Sequence, residues 1–127
     1  MRKRICVDLN GVLDTYAGWQ GRVTWHAPRP GAREFLAALR ERGHEVVVLT
    51  TRDPDRAAAW LARYGLDAFV AEVTDRKVPA LAYVDDRAVP FRGDFAETLA
   101  ALDRFRAFWE REVEDGVEEG PEGGGAA

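Results

Sequence analysis

Four places in the chain carry side chains that can handle a phosphate and a metal ion. Asp8 follows the apolar run Ile5-Cys6-Val7 and opens the segment Asp8-Leu9-Asn10-Gly11. Thr50, with Thr51 and Arg52 behind it, follows Val46-Val47-Val48-Leu49. Lys77 comes next, and Asp85-Asp86 follow Leu81-Ala82-Tyr83-Val84. A carboxylate at the end of a buried strand is costly to place for stability alone. Asp8 can act as a nucleophile if a cation offsets repulsion from an incoming phosphate. The neighbouring acids point to Mg²⁺, a hard ion that takes oxygen ligands. Asp8 and Asp85 would supply carboxylates, and a backbone carbonyl near Asn10 a third oxygen. Thr50 offers a hydroxyl, and the N–H groups of its turn with Thr51 would face a phosphate oxygen. Lys77 can neutralise both nucleophile and phosphate. The chain has 16 arginines and only two lysines, the other being Lys3 near the N-terminus. An ammonium is therefore used once in the interior of the sequence, and the two cations are not equivalent.

The elements that must hold these residues follow from the spacing of apolar positions. Residues 5–9 read as a short buried strand and residues 45–50 as a second, with three consecutive valines. Between them, residues 31–42 place Phe35, Leu36 and Leu39 at helical spacing, with Gly43 as a stop. Asp53-Pro54 starts the next helix, Asp53 as its N-cap and Pro54 in its first turn. That helix is expected to bury Trp60, Leu61 and Tyr64 and to end at Gly65. Residues 68–73 read as a weaker third strand and residues 81–85 as a fourth. A last helix is expected over 94–113, with Phe95, Leu99, Leu102, Phe105 and Trp109 on one apolar face. Strands alternating with helices imply a parallel sheet with right-handed crossovers. In such sheets ligands bind beyond the C-terminal ends of the strands, which is where the acids, the Thr and the Lys fall.

Length and composition bound the rest. The 127 residues suit one domain, taken here as 1–114, followed by an acidic and Gly-rich tail over 115–127 that is expected to be disordered. No apolar run approaches the ~20 residues of a membrane span. The stretch after the basic N-terminus is too short for a signal peptide. The single cysteine, Cys6, forms no internal disulfide, so a reducing cytoplasm is the default setting. The formal charge of −4 is concentrated in the last 18 residues, which hold seven acids and one base. The body is close to neutral and shows no basic nucleic-acid footprint, although nucleic acid is not ruled out as a partner. A homo-oligomer stays open.

The order Asp8-x-Asn10-Gly11-Val12, Thr50-x-Arg52, Lys77, Asp85-Asp86 resembles the haloacid dehalogenase superfamily, in particular its small capless phosphatase-like members. The likeness runs from residue 3 to about residue 93, and Tyr83-Val84-Asp85-Asp86-Arg87 is especially typical. It implies a three-layer Rossmann-like α/β sandwich with a mostly parallel sheet and a β-hairpin flap over residues 11–27. It implies an aspartyl-phosphate on Asp8, phosphate binding by Thr50 and Thr51, and orientation of nucleophile and phosphate by Lys77. Mg²⁺ would be held by Asp8, Asp85 and the backbone carbonyl of Asn10, with Asp86 and Arg52 in support. The partner is a phosphorylated substrate whose identity the sequence does not give.

Asn10 departs from the pattern. Family phosphatases usually carry a second Asp there, as general acid and base. A carboxamide donates a hydrogen bond but shuttles no proton near neutral pH, and loss of such help costs ~10²–10⁴-fold in rate. Turnover is therefore expected to be slow, and a catalytically weak phosphate-binding or regulatory protein is the alternative. Asn10 as an engineered trap, or deamidation at Asn10-Gly11, also stays open. His26 in the flap is a further source of a proton, while Trp19 and Trp25 either stack on substrate or pack the flap. Asp14 and Asp53 read as turn or cap residues. Asp86 has a simple alternative in pairing with Arg87. A receiver domain, which uses similar residues, is disfavoured because its paired acids come after the first strand and not the last.

Overall fold

The computed structural model describes residues 3–110, so the acidic stretch expected to form a disordered tail lies outside the described residues. The described residues gather into two compact units, one of residues 3–16 with 22–85, the other of residues 17–21 with 86–110. The first unit holds β1 (Lys3–Asp8), α1 (Ala32–Glu41), β2 (His44–Leu49), α2 (Pro54–Arg63), β3 (Glu72–Thr74) and β4 (Ala82–Val84). All the paired strands are parallel, in the order β3-β2-β1-β4. A fully parallel sheet is covered on its faces, and its central strands read as unbroken apolar runs. Cys6, Val7 and Val46 to Val48 are accordingly buried.

The chain passes from β1 to β2 to β3 in one direction across the sheet. Right-handed crossovers then place α1 and α2 on the same face. Ile5, Val7, Val46 and Val48 meet Leu36 of α1 and Trp60 and Leu61 of α2 in one core. Fully burying such a side chain contributes about 1.5–3 kcal/mol, which is why these short strands hold. Cys6 and Val47 alternate to the opposite face and are buried as well.

The start of α2 is the one the sequence predicts. The Asp53 carboxylate accepts from Asp55 N at 3.1 Å, and Pro54 opens the helix. Tyr64, expected in the core, is exposed. The third strand is shorter than expected. Gly65, at φ 70°, ends α2, and a single 3-10 turn over Asp67–Phe69 takes up the first two residues of the predicted segment. Ala71 N then donates to Val46 O at 2.8 Å, and β3 begins only at Glu72. The flap over 11–27 takes the form of a loop closed by one antiparallel bridge, Asp14 with Pro28.

In the second unit α3 spans Phe95–Asp103, with Asp94 accepting from Ala96 N at 2.9 Å and Glu97 N at 3.2 Å. The continuous helix expected to residue 113 is broken after Asp103. Residues 108–110 start a new helical turn, where Glu110 Oε1 reaches back to Ala107 N at 2.9 Å as a capping box does. Phe95, Leu99 and Leu102, expected on a buried face, are exposed. The second unit buries Ala107 and Trp109 instead.

Candidate functional site

Because the strands are parallel, their C-terminal ends share one edge. Asp8 closes β1, Thr50 directly follows β2, and Asp85 directly follows β4. The register pairs Asp8 with Leu49 and Val7 with Val84, so Asp8 lies between the positions of Thr50 and Asp85. Asp8 and Asp85 each offer a carboxylate oxygen, and these lie within 4.8 Å of one another. Two hard oxygen donors that converge in this way fit a divalent cation such as Mg²⁺.

Thr50 is fully buried. Its N–H donates to Thr74 O at 2.9 Å, and its Oγ1 accepts from Arg52 N at 3.0 Å. This local side-chain bond turns the chain sharply at the end of β2 and leaves Thr51 exposed on the turn.

The segment after Asp8 is a turn of the type that needs glycine. Asn10 at φ −78°, ψ 122° and Gly11 at φ 91°, ψ −11° are the central pair of a type II turn. Asp14 organises it. Its carboxylate is wholly buried and accepts from Gly11 N at 2.8 Å, Tyr16 N at 3.0 Å and Asn10 Nδ2 at 2.7 Å. The reading of Asp14 as a turn residue is right, and its grip on the Asn10 amide is what sequence reasoning missed. Gly11 N, the group that would attack the Asn10 amide in deamidation, is engaged by this bond.

Lys77 sits in the exposed loop between β3 and β4, with Nζ 5.5 Å from the centre of the Tyr83 ring. The Tyr83 hydroxyl bonds the backbone of Val78, accepting from its N at 2.8 Å and donating to its carbonyl. An aromatic anchor on β4 thus fixes the loop beside Lys77. Arg52 is turned toward the flap. Its Nη1 donates to Thr24 O, and its guanidinium lies 5.8 Å from the Tyr16 ring and 5.2 Å from the Trp25 ring. The His26 ring meets Tyr16 edge-on at 5.9 Å, and its carbonyl accepts from Trp60 Nε1 at 2.8 Å. Trp25 and His26 therefore pack the flap. Trp19, in the second unit, is exposed.

Cys6 lies two residues before Asp8 on the same face of β1. Burial pushes its thiol up, the Asp8 and Asp85 charges push the same way, and a hydrogen bond with Tyr83 and the Arg4 charge oppose them. In the second unit Asp86 Oδ2 accepts from Trp109 Nε1 at 2.5 Å. Arg87 lies over the Trp109 ring and pairs with Glu110 at 3.7 Å.

Residues 5–110 match the family described as haloacid dehalogenase-like hydrolase. A solved structure, a conserved protein coded by a locus from Bacteroides thetaiotaomicron, is similar over 85% of this chain and 95% of its own, with a TM-score of 0.55 and 21% identity. At that identity the likeness speaks for the fold alone. No curated protein matches the chain.

Proposed function

Because this chain belongs to the haloacid dehalogenase-like hydrolases, we propose that it is a Mg²⁺-dependent phosphohydrolase working through an aspartyl-phosphate on Asp8. The observation that carries this reading is the convergence of Asp8 and Asp85 at the C-terminal edge, beside the buried Thr50 turn. Asp8 attacks the phosphorus of a phosphomonoester and the leaving oxygen departs. Water then attacks the acyl phosphate and regenerates the carboxylate. Thr50, Thr51 and Lys77 bind and orient the phosphate, with Arg52 as a support. Mg²⁺, held by Asp8, Asp85 and the Asn10 carbonyl, would offset the negative charge that gathers between nucleophile and phosphate. Among the described residues no helix is long and apolar enough to cross a membrane. We place the enzyme in a reducing cytoplasm, the setting that suits a lone thiol.

The bond from Asn10 to Asp14 favours a slow enzyme, and with it the second reading of a weakly catalytic phosphate-binding regulator. A panel of phosphoesters assayed with and without Mg²⁺, on the native chain, Asp8→Asn and Asp85→Ala, separates the two. The enzyme reading expects Mg²⁺-dependent release from nitrophenyl phosphate that Asp8→Asn abolishes and Asp85→Ala weakens. Binding of tungstate without turnover on any ester supports the regulator. Equal Mg²⁺ affinity in the native chain and Asp85→Ala contradicts the site in both.

A further inference from the structure

Asp14 is the one charged side chain that is fully buried among the described residues. Its two oxygens are used differently. Oδ1 accepts from the backbone N–H groups of Gly11 and Tyr16, and Oδ2 accepts from Asn10 Nδ2. A carboxylate only accepts, so the end of the Asn10 amide that meets it is the NH₂ end. The amide oxygen of Asn10 is thereby turned away from Asp14. Asn10 itself is half-buried and stands two residues after Asp8 on the edge that holds the site.

We propose that Asp14 is a positioning residue that fixes the polarity of the Asn10 amide, so that Asn10 offers a hydrogen-bond acceptor at the Asp8 site. This inference rests on the phosphohydrolase reading and says which group the site is built to hold. An amide oxygen there accepts from the O–H of water or of an alcohol and repels the oxygens of a phosphate. In the second step it holds the attacking water by one O–H. The water oxygen bonds to phosphorus, the bond from phosphorus to the Asp8 oxygen breaks, and both protons of the water leave with the phosphate. Asn10 takes no proton at any stage. It orients the water and does not activate it.

The bonding pattern gives a reversal test. In Asp14→Asn the new amide oxygen keeps both backbone N–H groups, while its NH₂ stands where Oδ2 stood. Two NH₂ groups do not bond, so the Asn10 amide rotates and presents its NH₂ to the site. Loss of one oriented acceptor is expected to slow dephosphorylation of Asp8 about tenfold. Tungstate binding should hold or tighten, because a donor now faces the anion. The double variant Asn10→Asp with Asp14→Asn preserves all three hydrogen bonds with the polarity of the pair exchanged, and it returns an acceptor to the site. Its dephosphorylation rate should be at least that of the native chain.

The experiment is single-turnover phosphorylation of the native chain, Asp14→Asn and the double variant, with decay of the acyl phosphate followed by mass spectrometry. A folded Asp14→Asn with native decay, or a double variant no faster than Asp14→Asn, overturns the inference. If Asp14→Asn does not fold, the double variant decides, since it keeps every bond. Failure of that variant to fold also overturns the inference. A native chain that never becomes phosphorylated on Asp8 sinks the phosphohydrolase reading instead. The polarity is then still read from the side-chain NH₂ protons of Asn10, which should exchange slowly with solvent. Fast exchange of those protons in the native chain overturns it.

Discussion

The two loops that carry Asn10 and Lys77 are built in opposite ways. Residues 9–14, after Asp8, are held from inside. Leu9, Gly11, Leu13 and Asp14 are buried, and the Asp14 carboxylate takes two backbone N–H groups and the Asn10 amide. Residues 75–81, which carry Lys77, are held from outside. Most of them are exposed, and they are tied down by the Tyr83 hydroxyl at Val78, by Arg4 Nη1 to Pro79 O at 3.3 Å, and by Leu81 N to Arg4 O at 2.7 Å. The half that would form and break bonds is pre-organised by hydrogen bonds to a buried carboxylate, where misplacement is costly. The half that would supply charge stands on a surface loop, where an ammonium acts at longer range and tolerates movement.

This contrast can be broken by substitution. The largest effect is expected from Asp14→Ala, which strips one buried and two partly buried donors of their partner at roughly 1–3 kcal/mol each, partly recovered by relaxation. A net loss of about 3 kcal/mol in urea unfolding is the expected outcome, and a loss under about 1 kcal/mol would show that the turn holds without Asp14. Asn10→Asp alone is expected to cost about 1–3 kcal/mol, because it sets a second carboxylate where the 2.7 Å bond now lies. Adding Asp14→Asn should recover most of that loss, and unfolding curves of the three variants check it.

Lys77→Ala is expected to change stability by less than about 0.5 kcal/mol, as surface substitutions usually do. Its effect should fall on anion binding, with tungstate affinity lower by about tenfold in calorimetric titration. A large loss of stability with unchanged tungstate affinity would make Lys77 a structural residue and erase the contrast between the loops.

The smallest effect concerns pH. The Cys6 thiol is pushed above its ordinary value of 9.0 by burial first and by nearby acids second. The unfolded chain therefore gives up this proton before the folded chain does. Its contribution to stability is fully present below the ordinary value and declines as pH rises through it. Unfolding curves from about pH 7 to about pH 10 should show a steeper decline for the native chain than for Cys6→Ala, and equal slopes would contradict it.

Much of the edge was legible because the strands that lead to it are unbroken apolar runs. Val46 to Val48 admit one reading, and the position of Thr50 follows from them. Asp8 and Asp85 were found at strand ends, and a parallel sheet brings such ends together without further information. The N-cap at Asp53 was legible because Asp-Pro carries both the cap and the first-turn signal. The last helix is not legible, for the opposite reason. Apolar spacing over 95–109 gives no sign of the break after Asp103, which depends on Glu110 capping a new turn. The third strand is shorter than its spacing predicts: Ala68 to Val73 is apolar enough for a strand, while the tight exit from α2 at Gly65 takes its first residues for a turn. The link between Asp14 and Asn10 was out of reach, since which oxygen meets which donor is a matter of geometry alone.

Phosphorylation of Asp8 tests the central claim most directly. The native chain, incubated with nitrophenyl phosphate and Mg²⁺ and quenched in acid, should gain one phosphoryl group by intact mass. Peptide mapping should place it on Asp8, and Asp8→Asn should gain none. A native chain that turns over substrate without this adduct, or that carries it at another residue while Asp8→Asn stays active, would contradict the account.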